Sequence, residues 1–317
     1  MQVSPPTLID APSAHSAEPV ALSYELFPPR SDAASATLWK TIRELECTDP
    51  DYVSVTYGAS GSNHETALDL VDRLQLETTL RPLAHLTCVG GTPDELSRTV
   101  NALLDRGVRG ILALRGDRPK DGQLPEGSLR YAQDLIELIR HVERRRFAQF
   151  AAGKVAIGVA AYPVKHPESP SVAHDVEVLL AKQRSGADFA ITQVFFHPEQ
   201  YSALVHRARR AGVTIPIIPG IMPLTSLRRI LRLSELSGVE PDAGLLDRMR
   251  EAADDAAAAR RIGVEASVAL AEAALDAGAP GLHLYTFNEH ESALEVLSKL
   301  NLPRPSRPSL QAHRRTS

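Results

Sequence analysis

The residue whose position best suits acid–base chemistry is Glu25, in the run Ser23-Tyr24-Glu25-Leu26-Phe27-Pro28-Pro29-Arg30. The apolar residues around Glu25 predict a strand, and the two prolines predict that it ends just beyond. Burying an ionised carboxyl group is costly, so burial would raise the pKa of Glu25 toward values that suit a general acid. The alternative is a structural Glu25 paired with an interior Arg or Lys, and this segment alone leaves both interpretations open.

Other candidate reactive groups stand where further apolar runs end, at Thr56, His85, Asp117, Tyr162, His166, Gln193, Pro219-Gly220 and Tyr285. In Arg115-Gly116-Asp117, glycine lets a ligand approach the backbone while a cation and an acid flank it. The alternative for this triplet is an Arg–Asp ion pair at the rim. Residues 162–168 combine an aromatic face, cations and prolines, which suits a flat, phosphorylated ligand. The alternative for His166 is a simple hydrogen-bonding role.

Several common catalytic motifs are missing from the sequence. Residues 58–62 are rich in glycine but lack the Gly-Lys-Ser/Thr of a P-loop, and no GxGxxG fingerprint opens a helix. Cys47 and Cys88 have no zinc-ligand spacing, so we expect no metal site. Without a Gly-x-Ser-x-Gly elbow or a His-Glu-x-x-His helix, hydrolase and metalloprotease interpretations have little support.

The composition indicates small-molecule chemistry. The 317 residues are 43% hydrophobic, enough for one large barrel domain or two ordinary domains. A net charge of −4 gives no basic field of the kind that nucleic-acid binding needs. Two cysteines suit a reducing compartment, and we find neither a secretion signal in residues 1–19 nor an apolar run that could span a bilayer. We therefore expect a cytoplasmic protein with no membrane or nucleic-acid partner.

The elements that would position these residues form a regular pattern. Helical patterns separate eight predicted strands, which cover residues 21–27, 52–57, 81–88, 110–116, 155–163, 189–196, 216–222 and 281–287. Glycine ends the helical pattern ahead of four strands, at positions 107, 186, 212 and 278. Eight strands alternating with helices are what a closed parallel barrel requires, so the sequence predicts an α/β protein with a (β/α)8 TIM-barrel fold. Active sites of such barrels lie at the C-terminal ends of the strands.

We predict a single barrel domain over residues 20–302, with a disordered segment at 1–19 and a flexible tail at 303–317. Two connections are longer than the rest. The first contains a polar loop and then a helix running through His141 to Phe150. The second contains extra helical turns, including the Ala-rich stretch 252–259. Extra length on this face of a barrel usually shapes a substrate site or a subunit contact.

The strand ends together resemble methylenetetrahydrofolate reductases of the bacterial flavoprotein type, from about Leu22 to Leu302. The matching segments are residues 23–30, 52–59, 85–88, 113–117, 160–163, 166–168, 191–196, 218–221 and 285–288. The resemblance implies a βα barrel that binds FAD. It also implies that NADH or NADPH reduces the flavin, which then passes a hydride to 5,10-methylenetetrahydrofolate. The product would be 5-methyltetrahydrofolate for methionine synthesis, and the kinetics would be ping-pong.

The same resemblance assigns roles to individual residues. Glu25 matches the general acid, Asp117 an acid near flavin and pterin, and Gln193 an amide that contacts the folate. Tyr285 is a further substrate-binding position, together with Glu25. The positions that match FAD contacts are Thr56, His85, Arg115, Gly116, Asp117, Tyr131, Ala132, Tyr162, His166, Asp175 and Lys182.

Three residues depart from the family's pattern. Val178 stands where a polar flavin contact is usual, and Leu233 where an aromatic residue would stack on the substrate. Glu289 follows Asn288 where an Arg commonly meets the folate's glutamate end, and an acid there would repel a carboxylate unless it turns away.

Two other functions compete with a FAD-dependent reductase. One is a flavin-free barrel of the same lineage, either a folate-binding methyl carrier or a reductase that transfers hydride directly. The other is a regulatory or assembly module without chemistry, and the retained Glu25, Asp117 and Gln193 argue against it. Relatives assemble, so a homo-oligomer is a further expectation.

Overall fold

A computed structural model describes residues 19–56, 64–89, 91–117, 127–146 and 154–303, without the side chains of His64, Glu65 and Leu236. The glycine-rich segment 58–62, residues 118–126 of the expected polar loop and residues 147–150 of the helix expected after it lie outside these ranges. Both predicted tails lie outside as well, except for Pro19 and Pro303. The backbone N–H of Val20 donates to the carbonyl of Pro303 at 2.9 Å, so the two ends of the described domain meet.

Parallel strands form one sheet in the order β7-β6-β5-β4-β3-β2-β1-β9-β8. They are β1 (Ala21–Leu26), β2 (Tyr52–Val55), β3 (Pro82–Thr87), β4 (Gly110–Leu114), β5 (Ala156–Ala161), β6 (Phe189–Thr192), β7 (Ile217–Ile218), β8 (Gly220–Ile221) and β9 (Gly281–Tyr285). The eight predicted strands are all present. Most end a few residues early, because the backbone leaves the sheet there to form the loops of the barrel mouth.

The seventh predicted strand is split into β7 and β8 at Pro219, which has no N–H to give to a sheet. β7 pairs with β6, and β8 pairs with β9. The carbonyl of Pro219 accepts from the N–H of His283 at 3.0 Å, which keeps the two halves in one line. The barrel therefore closes between β6 and β9, and the predicted (β/α)8 TIM-barrel fold is confirmed.

Helices connect and cover the strands. They are α1 (Asp32–Glu46), α2 (His64–Glu77), α3 (Pro93–Asp105), α4 (Ala132–Arg145), α5 (Val172–Ser185), α6 (Pro198–Arg210), α7 (Leu227–Ser237), α8 (Ala243–Glu251), α9 (Ala256–Asp276) and α10 (His290–Lys299). The four glycines expected at helix ends all have positive φ, between 81° and 113°. The described part of the chain contains no helix long and apolar enough to cross a membrane.

The sequence suggested helical turns throughout the Ala-rich stretch 252–259, but residues 252–255 lie between two helices. α8 ends at Glu251, and α9 begins at Ala256 after a short turn. The carboxylate of Asp255 accepts from the N–H groups of Ala257 and Ala258 at 3.0 and 2.9 Å, so it caps α9 and separates the two helices.

The interior of the barrel has an apolar part and a polar part. Leu83, Leu112 and Ile191 form a small buried cluster inside the barrel, with Tyr52 and Phe189 packed against it. A second group of buried side chains is polar, and it comprises Ser23, Ser54, His85 and His283. Burying polar side chains costs free energy and is tolerated where they serve a function. The strand ends above these side chains are therefore the candidate position of a functional site.

Candidate active site

Glu25 is a buried acid at the C-terminal end of β1. Its neighbours Tyr24 and Leu26 face the outer core, so the alternation of the strand turns Glu25 into the barrel. The side chain is 13% exposed, and this burial raises its pKa to about 7. Among the described residues, His85 is the only basic side chain within 4.0 Å of its carboxyl group, at 3.8 Å. Within the described part of the chain, no Arg or Lys pairs with Glu25.

His85 does not neutralise Glu25 at pH 7. Burial lowers the pKa of His85 to about 3, so its imidazole is neutral. Its Nε2 atom and the Oγ1 atom of Thr56 are buried and have no hydrogen-bond partner in the described structure. Buried polar groups normally find a partner, so these two atoms, on β3 and just after β2, point to a polar ligand.

The Arg115-Gly116-Asp117 triplet forms the end of β4, but its charges do not pair with each other. Arg115 Nη1 lies 2.5 Å from Glu168 Oε2, so Arg115 pairs with the next loop, and the alternative of an Arg–Asp ion pair within the triplet is not what forms. Gly116 has a φ of +82°, and a Cβ there would lie 3.0 Å from the Cβ of Thr87. The turn itself therefore requires glycine. Asp117 is exposed at the rim.

The loop after β5 is built around His166. Its ring meets the Tyr162 ring edge-on, with the centroids 4.6 Å apart, and its Nδ1 accepts from the N–H of Glu168 at 3.1 Å. The N–H of His166 donates to Asp175 at 3.0 Å, so Asp175 holds the loop from helix α5. Burial and the nearby Arg115 lower the pKa of His166. His166 therefore has the hydrogen-bonding role that was one of its two interpretations in the sequence.

A cavity of about 260 Å³ brings many of the predicted residues together. Its lining includes Arg115, Asp117, Tyr162, His166 and Gln193. The exposed Gln193 folds back so that its Oε1 accepts from the N–H of Val194 at 2.9 Å. This arrangement supports the prediction of a shared ligand site on the C-terminal face.

Seven predicted FAD contacts do not line this cavity, namely Thr56, His85, Gly116, Tyr131, Ala132, Asp175 and Lys182. Lys182 is buried beneath β5, and its Nζ donates to the carbonyl of Ala160 at 2.8 Å. Burial lowers the pKa of Lys182 to about 8, although Asp175 acts in the opposite direction. Ala132 is buried at the start of α4, whereas Tyr131 is 60% exposed. The cavity lining does not include these residues, so their predicted roles stay predictions.

Tyr285 closes the seam of the barrel. Its hydroxyl group donates to the carbonyl of Thr192 at 2.8 Å and thus links β9 to β6. It crosses over Gly220, where a Cβ would lie 2.5 Å from the Tyr285 ring. With its hydroxyl group engaged in this bond, Tyr285 offers a ligand mainly its ring.

The residues after Tyr285 hold Glu25 in place, a role that the sequence did not reveal. Thr286 Oγ1 donates to the carbonyl of Glu25 at 2.6 Å. The Asn288 side chain accepts from the N–H of Phe27 and donates to its carbonyl, both at 2.9 Å. Phe287 and Asn288 have φ values of 52° and 62°, and two such values in succession outside glycine mark a strained turn. An Asn after a predicted strand was the available signal, since Asn tolerates this conformation.

A closed βα barrel with a protonatable acid and unpaired polar atoms at its mouth defines a class of small-molecule barrel proteins. Comparison with known proteins narrows the class. The family model described as methylenetetrahydrofolate reductase matches residues 11–301. The chain therefore belongs to the methylenetetrahydrofolate reductase family, as its resemblance suggested.

Individual relatives agree with this assignment. The 5,10-methylenetetrahydrofolate reductase of Escherichia coli is 34% identical over 281 residues, which cover 89% of this chain and 90% of that protein. Methylenetetrahydrofolate reductase 1 of Schizosaccharomyces pombe is 32% identical, over 90% of this chain and 46% of its own length. A solved structure of a Clostridium thermocellum protein, described as binding two copies of 5-methyl-5,6,7,8-tetrahydrofolic acid, shares the fold with a TM-score of 0.59. At 16% identity it covers 89% of this chain and 94% of its own.

Proposed function

We propose that the protein reduces 5,10-methylenetetrahydrofolate to 5-methyltetrahydrofolate, with NADH or NADPH as the hydride donor and bound FAD as the carrier. This product would serve methionine synthesis. Family membership supports the reaction class. The observation that carries the proposal is Glu25, because a buried carboxyl group with a pKa of about 7 can donate a proton at neutral pH.

The polar groups at the mouth fit a flavin nucleotide. Arg115 offers a guanidinium for a pyrophosphate, and the unpaired Thr56 Oγ1 and His85 Nε2 offer hydrogen bonds to a flat, polar ring. Tyr162 and His166 would border the same ligand. We propose that five further residues support the bound flavin, partly by holding the loops around it. They are Gly116, Tyr131, Ala132, Asp175 and Lys182. When bound, FAD supplies hydride transfer, a reaction for which side chains have no equivalent.

Glu25 has the chemistry needed to activate the folate. Its proton would pass to a nitrogen of the substrate's five-membered ring, and the adjacent C–N bond would break to give an iminium ion. Asp117 at the rim would favour this developing positive charge, and the amide of Gln193 would orient the pterin ring. Because His85 is neutral at pH 7, it does not hold Glu25 in the ionised form.

The alternative is a flavin-free barrel of the same lineage that binds folate as a methyl carrier or reduces it directly. The Clostridium thermocellum protein, which shares the fold and is described as binding 5-methyl-5,6,7,8-tetrahydrofolic acid, is the observation that favours keeping a folate-binding alternative.

The decisive experiment is an absorbance spectrum of the purified protein followed by anaerobic additions. We expect a flavin spectrum, release of FAD on heating, bleaching by NADH or NADPH, and recovery of the spectrum on adding methylenetetrahydrofolate. Steady-state kinetics should give parallel lines, since one mouth would serve both substrates in turn. Colourless protein that neither binds added FAD nor requires it for turnover would refute the flavin-dependent function and favour the alternative.

A further inference from the structure

The turn that follows β9 is tied to helix α1 in the outer layer of the barrel. Thr41 of α1 is buried, and its Oγ1 donates to the carbonyl oxygen of Asn288 at 3.0 Å. The same Oγ1 lies 3.1 Å from Nδ1 of His290, the first residue of α10. Thr41 does not line the cavity at the mouth, and the function proposed so far gives it no role. One hydroxyl group thus joins two outer helices to the turn.

The hydroxyl group of Thr41 can donate only one proton. Because that proton goes to the carbonyl of Asn288, the contact with His290 requires the imidazole to donate from Nδ1 and the hydroxyl oxygen to accept. The His290 side chain is 12% exposed, so both bonds are largely shielded from water. Hydrogen bonds in such surroundings are costly to leave unmade, and this pair therefore favours one position of the turn.

The turn needs support because its backbone is strained. Phe287 and Asn288 have φ values of 52° and 62°, in the left-handed region that residues other than glycine rarely adopt. Two such residues in succession persist only where surrounding contacts stabilise them. The carbonyl that accepts from Thr41 belongs to this strained pair, so loss of the hydroxyl group removes a bond that favours the strained conformation.

The strained turn in its turn holds the strand that carries the acid. The Asn288 side chain bonds to both backbone groups of Phe27. The Phe287 ring stacks on the Phe27 ring, with the centroids 5.7 Å apart and an interplanar angle of 13°. Thr286 Oγ1 donates to the carbonyl of Glu25 at 2.6 Å. Contacts therefore run from helix α1 through the turn to the end of β1.

A second outer contact to the turn is weaker. Glu289 Oε2 lies 2.8 Å from Nη2 of Arg229, so the side chain of Glu289 pairs with helix α7. The side chains of Arg229 and Glu289 are 23% and 53% exposed, and ion pairs in such surroundings contribute little to stability. Thr41, by contrast, is buried. Its hydroxyl group is therefore better able than the ion pair to fix the turn.

The groups that face Glu25 inside the barrel do not depend on Thr41. Among the described residues they are His85 on β3 and Tyr285 on β9. His85 is neutral because burial lowers its pKa to about 3, and burial followed by the charge of Glu25 raises the pKa of Tyr285. Ser54, the register partner of Glu25 on β2, carries no charge. With neutral neighbours, the pKa of Glu25 depends on its burial, and its burial depends on where the end of β1 is held.

We propose that Thr41 is a positioning residue for Glu25. Its hydroxyl group, with His290 as the donor behind it, fixes the strained turn after β9 and thereby keeps the carboxyl group of Glu25 buried at the mouth. The role of Glu25 as an acid belongs to the proposed function, on which the proposal rests, whereas the position of the carboxyl group can be measured without the reaction.

The test titrates Glu25 directly, by NMR of the full-length protein with isotopically labelled Glu side-chain carboxyl carbons. Glu25→Gln identifies the signal, and the wild-type midpoint should lie at about 7. Thr41→Val keeps the shape of the side chain but removes the hydroxyl group. We expect it to lower the midpoint by about one unit, because the released end of β1 lets water reach the carboxyl group. Thr41→Ser keeps the hydroxyl group and should restore most of the wild-type midpoint.

The matched control is Thr48→Val. The hydroxyl group of Thr48 also connects the end of α1 to β1, through the hydroxyl group of Tyr24 at 2.8 Å. This variant loses a comparable bond but leaves the turn untouched, so its midpoint should equal that of the wild type. His290→Ala removes only the donor behind Thr41, and it should lower the midpoint in the same direction by a smaller amount. It decides the question if Thr41→Val does not fold.

The folate half-reaction provides a second measurement. A midpoint about one unit lower leaves about one fifth of the wild-type acid form at pH 7 but most of it at pH 5.5. Thr41→Val should therefore be about fivefold slower at pH 7 and within about 1.5-fold of the wild type at pH 5.5. Equal losses at both pH values, or a wild-type midpoint in the folded Thr41→Val and His290→Ala proteins, would overturn the proposal. Shifted midpoints in a protein whose wild type does not reduce folate would leave the positioning role intact and refute the proposed function.

Discussion

At the scale of single residues, the proposed reaction makes reduction of the folate depend on the protonation state of Glu25. The pKa of Glu25 is raised to about 7 by burial, so its proton-donating form predominates below that pH and disappears above it. In the proposed reaction, reduction of the flavin by NADH or NADPH would require no proton from Glu25. The two half-reactions should therefore respond differently both to pH and to replacement of this residue.

We predict that hydride transfer to methylenetetrahydrofolate slows as the pH rises through about 7, whereas flavin reduction changes little over the same range. Glu25→Gln removes the titratable proton but keeps the size and polarity. The folate half-reaction should fall by a factor of at least ~10² and lose this pH dependence, while flavin reduction stays within about tenfold of the wild type. Stopped-flow absorbance of the flavin measures each half-reaction separately.

The exposed Glu44→Gln on helix α1 is a suitable control and should leave both rates unchanged. Equal losses in the two half-reactions of Glu25→Gln would indicate that Glu25 supports the barrel and does not act as an acid. A folate half-reaction of normal rate would remove Glu25 from the mechanism.

At the scale of elements, helix α9 holds the segment that follows β8. Ser267 Oγ accepts from the N–H of Leu224 at 3.0 Å and is 3.1 Å from the carbonyl of Met222. Gly263, one turn earlier, lies directly against this segment, and a Cβ there would be 1.7 Å from the carbonyl oxygen of Leu224. Glycine is required at position 263 because the helix and this segment lie too close together for a Cβ, and not because the backbone adopts a conformation that only glycine allows. The segment continues into α7, which carries Arg229.

We predict that Gly263→Ala lowers the free energy of unfolding by about 3 kcal/mol or more, because the helix and the segment must move apart. Intrinsic helix propensity alone predicts the opposite sign, a gain of about 1 kcal/mol. Urea denaturation of the two proteins distinguishes these outcomes. Glu265→Ala, at an exposed position of the same helix, should remain within about 0.5 kcal/mol of the wild type. A stabilised Gly263→Ala protein would contradict the close contact.

The sequence predicted the elements well because strands and helix ends depend on neighbouring residues. Apolar runs, together with the glycines at helix ends, located all eight strands of the barrel. The structure gives those glycines positive φ values. Contacts between distant residues could not be predicted in this way. The Arg115–Glu168 and Arg229–Glu289 pairs join residues 53 and 60 positions apart, and their formation depends on how the loops fold over the barrel mouth. The same applies to the bonds from Asn288 to Phe27, 261 positions away.

At the scale of the whole molecule, the polar barrel interior makes stability depend on pH. Burial lowers the pKa of His85 and of His283 to about 3, so both stay neutral in the folded protein while the unfolded chain protonates them below about 6.5. Each contribution to stability is thus lost as the pH falls, by about 2 kcal/mol between pH 7 and 5. Glu25 has the opposite effect: because its pKa in the folded protein is raised to about 7, the folded state binds its proton first, and stability rises by a similar amount as the pH falls from 7 to 5.

We predict that, once one of these two histidines is replaced, the contributions of the remaining histidine and of Glu25 to the pH dependence of the unfolding free energy nearly cancel. His283→Asn keeps a polar atom near Ser23, whose hydroxyl group lies 2.8 Å from His283 Nδ1. Between pH 7 and 5, the wild type should lose about 2 kcal/mol more unfolding free energy than this variant. Urea denaturation at both pH values measures the difference. His174→Asn, at an exposed position, should retain the wild-type dependence. Identical losses in His283→Asn and wild type would contradict a neutral, buried His283.

Closure of the barrel also has a consequence for synthesis on the ribosome. One of the two sheet partners of β1, strand β9, is made about 260 residues after β1 itself. Until then β1 and β8 each present an unpaired edge, which other chains can join. The peptide groups around Glu25 also wait for Thr286 and Asn288 before they are held. A nascent chain therefore contains Glu25 long before it can hold this acid in its folded geometry, which requires β9 and the turn after it.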